Sequence, residues 1–510
     1  MNRKTVRSLL SGAGLAILFA GTALAQTPNF TKYVALGDSF AAGFSAGCLV
    51  DRNQRFSYPA TLARQFGISD FQQPTVSDPG LPTCTGLKSL VPLTFGLIST
   101  KTGTPTNATL ARSYDNLAVP NAKIGDVIDV TSSADPPAAY CAACGNLALA
   151  DLVLRGKGSQ LTQALSLNPT FITLGIIGND ILTSGGAAFL LDGVTATPLS
   201  VFTAKYNAVA AALKASGRTG VFLGTPNGLH LLPLTSTIPP VVLDPATNQP
   251  LIVGGSTVPL LGPRTTSTCS TPPCPLPAGT LVTLGANAPQ AALGGKSLLG
   301  VGFGIPCAVA PVTSFPQCGK PLPDGGFTPP ATVNVGVLLY PDEVAAIDQR
   351  IKDMNVVIKA AAESNGFKYF DFYAVSLDFV ANGRTYGGIK ITKDFVTGGA
   401  FAYGNAVHLS NIGYTIVADE LIQFINSAYG TSVPRPDFSV VLFTQDVPAP
   451  GTTGIGAAVD TSIFFTEDSW RAFFDEFPLQ DASMKLAFPA DTDVPDRAPV
   501  VLPGRRSSRD

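Results

Sequence analysis

The chain has 510 residues, of which 45% are hydrophobic and only 13% charged, against a usual charged share of about 25%. Apolar material on that scale excludes a disordered polyelectrolyte. With 33 Lys and Arg against 35 Asp and Glu, there is no basic excess to neutralise phosphates, which speaks against nucleic-acid binding. The two histidines, His230 and His408, are the only imidazoles any mechanism can draw on.

In chain order, Arg3, Lys4 and Arg7 precede the apolar run Leu9 to Ala20, and Ala23-Leu24-Ala25 fits a small-x-small cleavage site. Residues 1–25 therefore read as a signal peptide, with an uncleaved anchor as the alternative. No later apolar stretch is long and uninterrupted enough to span a bilayer, so a secreted or periplasmic soluble protein is expected. The eight cysteines fall as Cys48 and Cys84, Cys141 and Cys144, Cys269 and Cys274, and Cys307 and Cys318. In an oxidising compartment nearest-neighbour disulfides are the simplest framework. A redox motif at Cys141-Ala-Ala-Cys144, or a zinc site joining it to Cys269 and Cys274, is the competing reading.

Tyr33 to Leu36 is a short apolar run entering Gly37-Asp38-Ser39, predicted as a buried parallel strand and a tight turn. Further strands are expected over Phe171–Ile177, Gly220–Thr225 and Phe367–Tyr373. Helices are expected over Leu147–Leu154, Val201–Ser216 and Pro341–Ser364, and in the stretch from Ser410 to about Ile425. In Pro341–Ser364, Val344, Ile347, Ile351, Met354 and Ile358 recur at helical spacing behind an initial proline. Strands alternating with helices predict an α/β layer fold with a mainly parallel sheet. Residues 232–335 are rich in Pro, Gly and Cys and read as a disulfide-pinned insertion or lid. From Pro434 to Asp510 the chain becomes an extension, with Phe464–Phe477 and a polar tip at Arg505–Asp510.

Several residues could carry chemistry. Ser39 follows a buried strand, and ligands collect at the carboxyl edge of such sheets; Gly-Asp-Ser is also an ordinary turn composition. Ser45, in Gly43-Phe44-Ser45-Ala46-Gly47, fits a nucleophile elbow, but too little chain precedes it to build the sheet an elbow needs. Asn179, in Gly178-Asn179-Asp180, could donate to an oxyanion or simply occupy a turn. His408 precedes a helix in a loop, where it could be aimed at the sheet edge. His230 sits in the apolar segment Leu229–Pro233 and reads as a packed or hydrogen-bonded histidine.

Taken together, these motifs resemble the SGNH/GDSL family of esterases and lipases. Gly37-Asp38-Ser39 resembles the family's first block, Asn116–Asn121 its second, Gly178-Asn179-Asp180 its third, and the stretch ending in His408 its last. The resemblance runs from Tyr33 to about Tyr429. It implies a three-layer α/β/α hydrolase domain over residues 26–433 and cleavage of carboxylic esters through an acyl-enzyme. Ser39 would be the nucleophile and His408 the base, with an oxyanion hole from Ser39, Asn121 and Asn179 and no metal or organic cofactor. Two departures stand out. Asn121 replaces the glycine that normally ends the second block; asparagine tolerates positive φ better than most residues. Asn405 replaces the aspartate three residues before the histidine, which leaves a Ser–His dyad or weakened triad. The substrates implied are lipid or short-chain acyl esters, with a greasy pocket suggested by the insertion. The alternatives are a carbohydrate deacetylase or a secreted binding or surface protein that keeps the fold without turnover.

Overall fold

A computed structural model describes residues 27–443 except 91–92, 137, 215–217, 245–248, 289, 310–313, 329–331, 335, 394–398 and 403–406. The signal-peptide reading of residues 1–25, Asn405, the Phe464–Phe477 stretch and the polar tip lie outside the described residues.

The frame is a parallel sheet of four strands: β1 (Tyr33–Gly37), β2 (Phe171–Gly175), β3 (Thr219–Leu223) and β4 (Lys368–Phe370), hydrogen-bonded in that order. In register, Gly37 faces Gly175 at the carboxyl ends of β1 and β2. The other edge of β1 is covered by the segment around Asn116. Ala35 N–H donates to Asp115 O at 2.8 Å, Leu117 N–H to Ala35 O at 2.9 Å and Val119 N–H to Gly37 O at 3.1 Å. With this segment counted as the second strand of the chain, the spatial order is 2-1-3-4-5, that of a doubly wound sheet.

Strand residues alternate between two apolar cores, as the period of two requires. Tyr33, Ala35, Phe171, Val221 and Leu223 join one cluster; Val34, Leu36, Ile172, Leu174 and Phe222 join the other. The first face is covered by α1 (Ser39–Ala42), α2 (Tyr58–Gln65) and a C-terminal helix over Asn411–Tyr429. The second is covered by α3 (Gln160–Ser166), α4 (Leu199–Lys214) and the long helix over Pro341–Ser364. Helices on both faces of one sheet make the expected three-layer α/β/α sandwich.

After β3 comes the short α5 (Gly228–Leu231), then α6 (Pro341–Ser364), α7 (Phe372–Asn382) and α8 (Asn411–Tyr429). Helix α6 has the bounds its periodicity predicts: Pro341 opens it, and the Glu343 carboxylate accepts the Tyr340 N–H at 2.9 Å. One expectation is corrected. Phe367–Tyr373 is not one strand, because the chain leaves the sheet after Phe370 and Asp371 caps α7 through the Ala374 N–H. An apolar run of that kind suits a buried helix as well as a strand.

All eight cysteines pair with their nearest neighbours: Cys48–Cys84, Cys141–Cys144, Cys269–Cys274 and Cys307–Cys318, at Cα separations of 4.8–5.7 Å. The four-thiolate zinc reading, which needs those thiols unpaired, does not fit that pairing. Within residues 232–335, Val242, Leu260, Leu276, Leu298 and Leu322 build a small core of their own. Beyond Pro434 the chain first packs back on the sandwich, with Phe438 stacked on Tyr386 at 3.4 Å between centroids and Val441 buried. Among the described residues no helix is long and apolar enough to cross a membrane.

Candidate active site at the carboxyl edge of the sheet

The connection leaving β1 toward the Asn116 segment and the connection leaving β2 diverge at the carboxyl edge, which opens a crevice there. Ser39 sits on the first of these turns. Gly37 permits the tight exit: a Cβ on it would lie 2.5 Å from Ala41 Cβ and 2.9 Å from Gly175 O. Asp38 then caps α1, accepting the Phe40 N–H on one carboxylate oxygen and the Ile177 N–H on the other, both at 2.9 Å. One carboxylate thus ties the Ser39 turn to the turn that carries Asn179. Burial, with added repulsion from Asp180, pushes the Asp38 pKa up to about 7 against the opposing pull of these backbone donors.

His408 Nε2 lies 2.8 Å from Ser39 Oγ, within hydrogen-bond reach of a base and its nucleophile. The imidazole arrives on a bend latched on both sides: Ala402 N–H donates to His408 O at 2.9 Å, and Ser410 N–H to Ala400 O at 3.0 Å. Ser410 then caps α8, its hydroxyl accepting the Gly413 N–H. Although part of the side chain is accessible, the ring is enclosed by apolar protein, and desolvation pushes its pKa down to about 4. A neutral imidazole across the physiological range is the form able to accept a hydroxyl proton.

The Gly43–Gly47 motif has a different job from an elbow. Ser45 is fully buried, and its hydroxyl donates to Leu409 O at 2.9 Å. Phe44 packs its ring against His408, centroids 4.9 Å apart, and its carbonyl accepts the Tyr414 hydroxyl at 2.5 Å. The segment therefore buttresses the imidazole, and the Ser45 elbow reading is excluded by its burial. His230 stands on the exposed side of α5, not packed as expected, and does not line the crevice.

Asn179 lines the same pocket as Ser39 and His408. Its side-chain amide donates to Ala122 O at 3.1 Å; an amide carries two N–H donors, so this bond orients the group and leaves its second hydrogen. Asn121 takes a φ of 69°, the left-handed conformation that asparagine tolerates. Its turn is held from below. Lys123, fully buried, pairs with Asp126 at 3.0 Å and reaches Asn121 O at 3.4 Å. The Asp180 carboxylate accepts the Ile124 N–H at 3.0 Å and the Thr197 hydroxyl at 2.6 Å. Burial raises the Asp180 pKa to about 6. Asp180 thus does for the Asn121 turn what Asp38 does for the Ser39 turn.

The pocket encloses about 1180 Å³ of empty space counting its open mouth and is overwhelmingly apolar, with Ser39, Asn179 and His408 among its few polar groups. Its walls come chiefly from the sandwich, including Leu229 and Leu231 on α5, Phe372 and Phe379 on α7 and Ile416 on α8. The insertion contributes Leu232, Leu234 and Thr235 at its very start, so the greasy wall expected from the whole insertion belongs mainly to other elements.

No family model matches the chain, and no curated protein matches it. Among solved structures, an extracellular lipase from Streptomyces rimosus is similar over 78% of this chain and 99% of its own, at 15% sequence identity and a TM-score of 0.30.

Proposed function

We propose that the chain is a secreted or periplasmic serine hydrolase of the SGNH/GDSL type that cleaves carboxylic esters of apolar acids. The observation that carries this reading is the 2.8 Å contact between Ser39 Oγ and His408 Nε2 in the wall of an apolar pocket. His408 takes the Ser39 proton as Oγ bonds to the ester carbonyl carbon. The carbonyl oxygen becomes an oxyanion held by the backbone N–H groups of Ser39 and Asn121 and by the Asn179 amide. Collapse breaks the ester bond, the alcohol leaves with the proton from His408, and water repeats the sequence on the acyl-enzyme with His408 again as base. A pKa near 4 keeps His408 neutral and ready but makes its protonated form costly. With Asn405 in the acid's sequence position, no carboxylate charge comes from there to relieve that cost. Slow turnover is the expected consequence. The apolar lining favours an acyl chain over a sugar in the pocket.

Asn405 also supports a second reading, a secreted protein that binds apolar ligands without turning them over. A fluorophosphonate probe separates the two. A covalent adduct on Ser39, with p-nitrophenyl ester hydrolysis lost in Ser39→Ala, supports the hydrolase; an unlabelled, inert protein that still binds apolar ligands supports the second reading.

A further inference from the structure

Two helices present matched stripes to the pocket. On α7 these are Phe372, Val375, Ser376 and Phe379; on α8 they are Gly413, Ile416, Val417 and Glu420. Each set has the i, i+3, i+4, i+7 spacing of one helix face. The α8 stripe starts beside the His408 bend and ends at a charge, where Glu420 accepts from Arg384 Nε. Arg384 is also paired with Asp378 at 2.8 Å, and its guanidinium lies 6.0 Å from the Phe379 ring centroid. Both Arg384 and Glu420 border the pocket with under a fifth of their side chains exposed. One wall of the pocket is therefore an apolar groove that runs from the reactive pair to an ion pair.

We propose that this groove is a closed-ended slot for one linear saturated acyl chain, and that the Arg384–Glu420 pair is its floor and sets the chain length. This deepens the ester-hydrolase reading and rests on it for the identity of the carbonyl end. From Gly413 to Glu420 the helix rises about 10 Å. A staggered chain with C–C bonds of ~1.5 Å advances roughly 1.25 Å per carbon. The groove then holds about eight methylenes beyond the carbons at Ser39, which puts the best fit at roughly C8 to C12. Each carbon up to that length gains buried apolar contact, while the next must strip solvent from a guanidinium and a carboxylate that it cannot hydrogen-bond.

The test needs no turnover. Saturated 1-alkanols from C4 to C16 are titrated calorimetrically into Ser39→Ala protein. Kd should tighten about fourfold per added carbon and stop tightening near C10. Replacing both ions together, Arg384→Met with Glu420→Leu, leaves neither of that pair stranded, takes a partner only from the half-exposed Asp378, and should move the break to longer chains. Val375→Phe, or Val417→Phe if the first variant folds poorly, should move it to shorter ones. Uninterrupted tightening through C16, no alkanol binding, or a break unmoved by these substitutions overturns the slot. The natural chain's p-nitrophenyl ester series separates this inference from its premise. A break in alkanol affinity without hydrolysis of any ester leaves the slot standing and removes the hydrolase. Hydrolysis with no break at any chain length does the reverse.

Discussion

Two serine-bearing turns lie six residues apart, and they differ in almost everything but composition. The Gly37–Ser39 turn leaves a strand at the sheet's carboxyl edge and sets its hydroxyl 2.8 Å from an imidazole. The Gly43–Gly47 turn lies beneath that imidazole and spends its hydroxyl on the Leu409 carbonyl. Both are flanked by glycine, and both match a short motif that could carry a nucleophile. What separates them is the surface each hydroxyl reaches: one opens on an apolar pocket, the other is sealed in the protein. A short serine motif thus acquires its role from where the fold places it, and its near neighbour can serve the same site as a support.

Truncating each serine separates the two turns. Ser39→Ala should abolish ester hydrolysis, by on the order of 10⁴-fold or more in kcat, with the melting temperature nearly unchanged. Retained turnover would remove Ser39 from the chemistry. Ser45→Ala should do something else: the buried Leu409 carbonyl loses its donor, at a cost of about 1–3 kcal/mol. Turnover should fall far less than in Ser39→Ala, because His408 loosens while the nucleophile stays. Urea denaturation beside steady-state kinetics distinguishes these profiles, and a Ser45→Ala protein as inert as Ser39→Ala would erase the contrast.

Between those effects in size stands Asn405→Asp. If the supplied carboxylate reaches the imidazole, it should stabilise the imidazolium and raise kcat by about tenfold to a thousandfold, short of the roughly 10⁴ that separates aspartate from asparagine in a serine-protease triad. It should also raise the pKa of His408. Unchanged turnover with an unchanged pH profile would show that the buttress from Phe44 and Ser45, and not charge, limits the base.

The amino-acid sequence carries local patterns and not long-range partners. The four sheet strands and α6 were readable because each is a local pattern: short apolar runs ending at Gly or a turn, and a 3.6-residue stripe behind a proline. Ser39, Asn179 and His408 were readable because strand ends and a pre-helix loop place them at one edge of the sheet whatever the details. The roles of Asp38, Asp180 and Ser45 were not. Each acts through a partner 56 to 364 residues away in sequence, and no spacing rule encodes such pairs. The pocket wall departs from expectation for a related reason. It includes one face each of α7 and α8, and α7 shares only Phe372 and Tyr373 with the run read as a strand, the rest of it carrying no expected element.

The pH dependence of turnover reports how dry the pocket side of the Ser39 turn is. With His408 pushed down to about 4, kcat/KM should rise through about pH 4 and run flat from 6 to 8, unlike an ordinary histidine near 6.5. An acid limb centred on 6.5 would mean that water reaches the ring freely.

The smallest expected effect concerns the carboxylate that positions the turn. Asp38 has its folded pKa raised from 3.8 to about 7. The folded chain therefore holds a proton there that the unfolded chain has released between about pH 4 and 7. Its contribution to stability is full below pH 4 and is lost as pH rises through 7. His408 works the other way, because below pH 6.5 the unfolded histidine binds a proton that the folded one refuses until about pH 4. The two slopes oppose each other between pH 4 and 6.5, Asp180, raised to about 6, adds to the Asp38 slope below pH 6, and of the three Asp38 acts alone between 6.5 and 7. Asp38→Asn keeps one acceptor but turns an N–H₂ toward a backbone donor that had a carboxylate oxygen. It should cost about 1–3 kcal/mol and remove one proton's worth of the fall in stability with pH, most cleanly between 6.5 and 7, where the His408 and Asp180 terms are already spent. Thermal melts at half-unit pH steps read both quantities. If the Asp38→Asn curve merely shifts down in parallel with the natural one, the Asp38 carboxyl does not titrate in this window, and its hold on the two turns is that of a permanently charged strap.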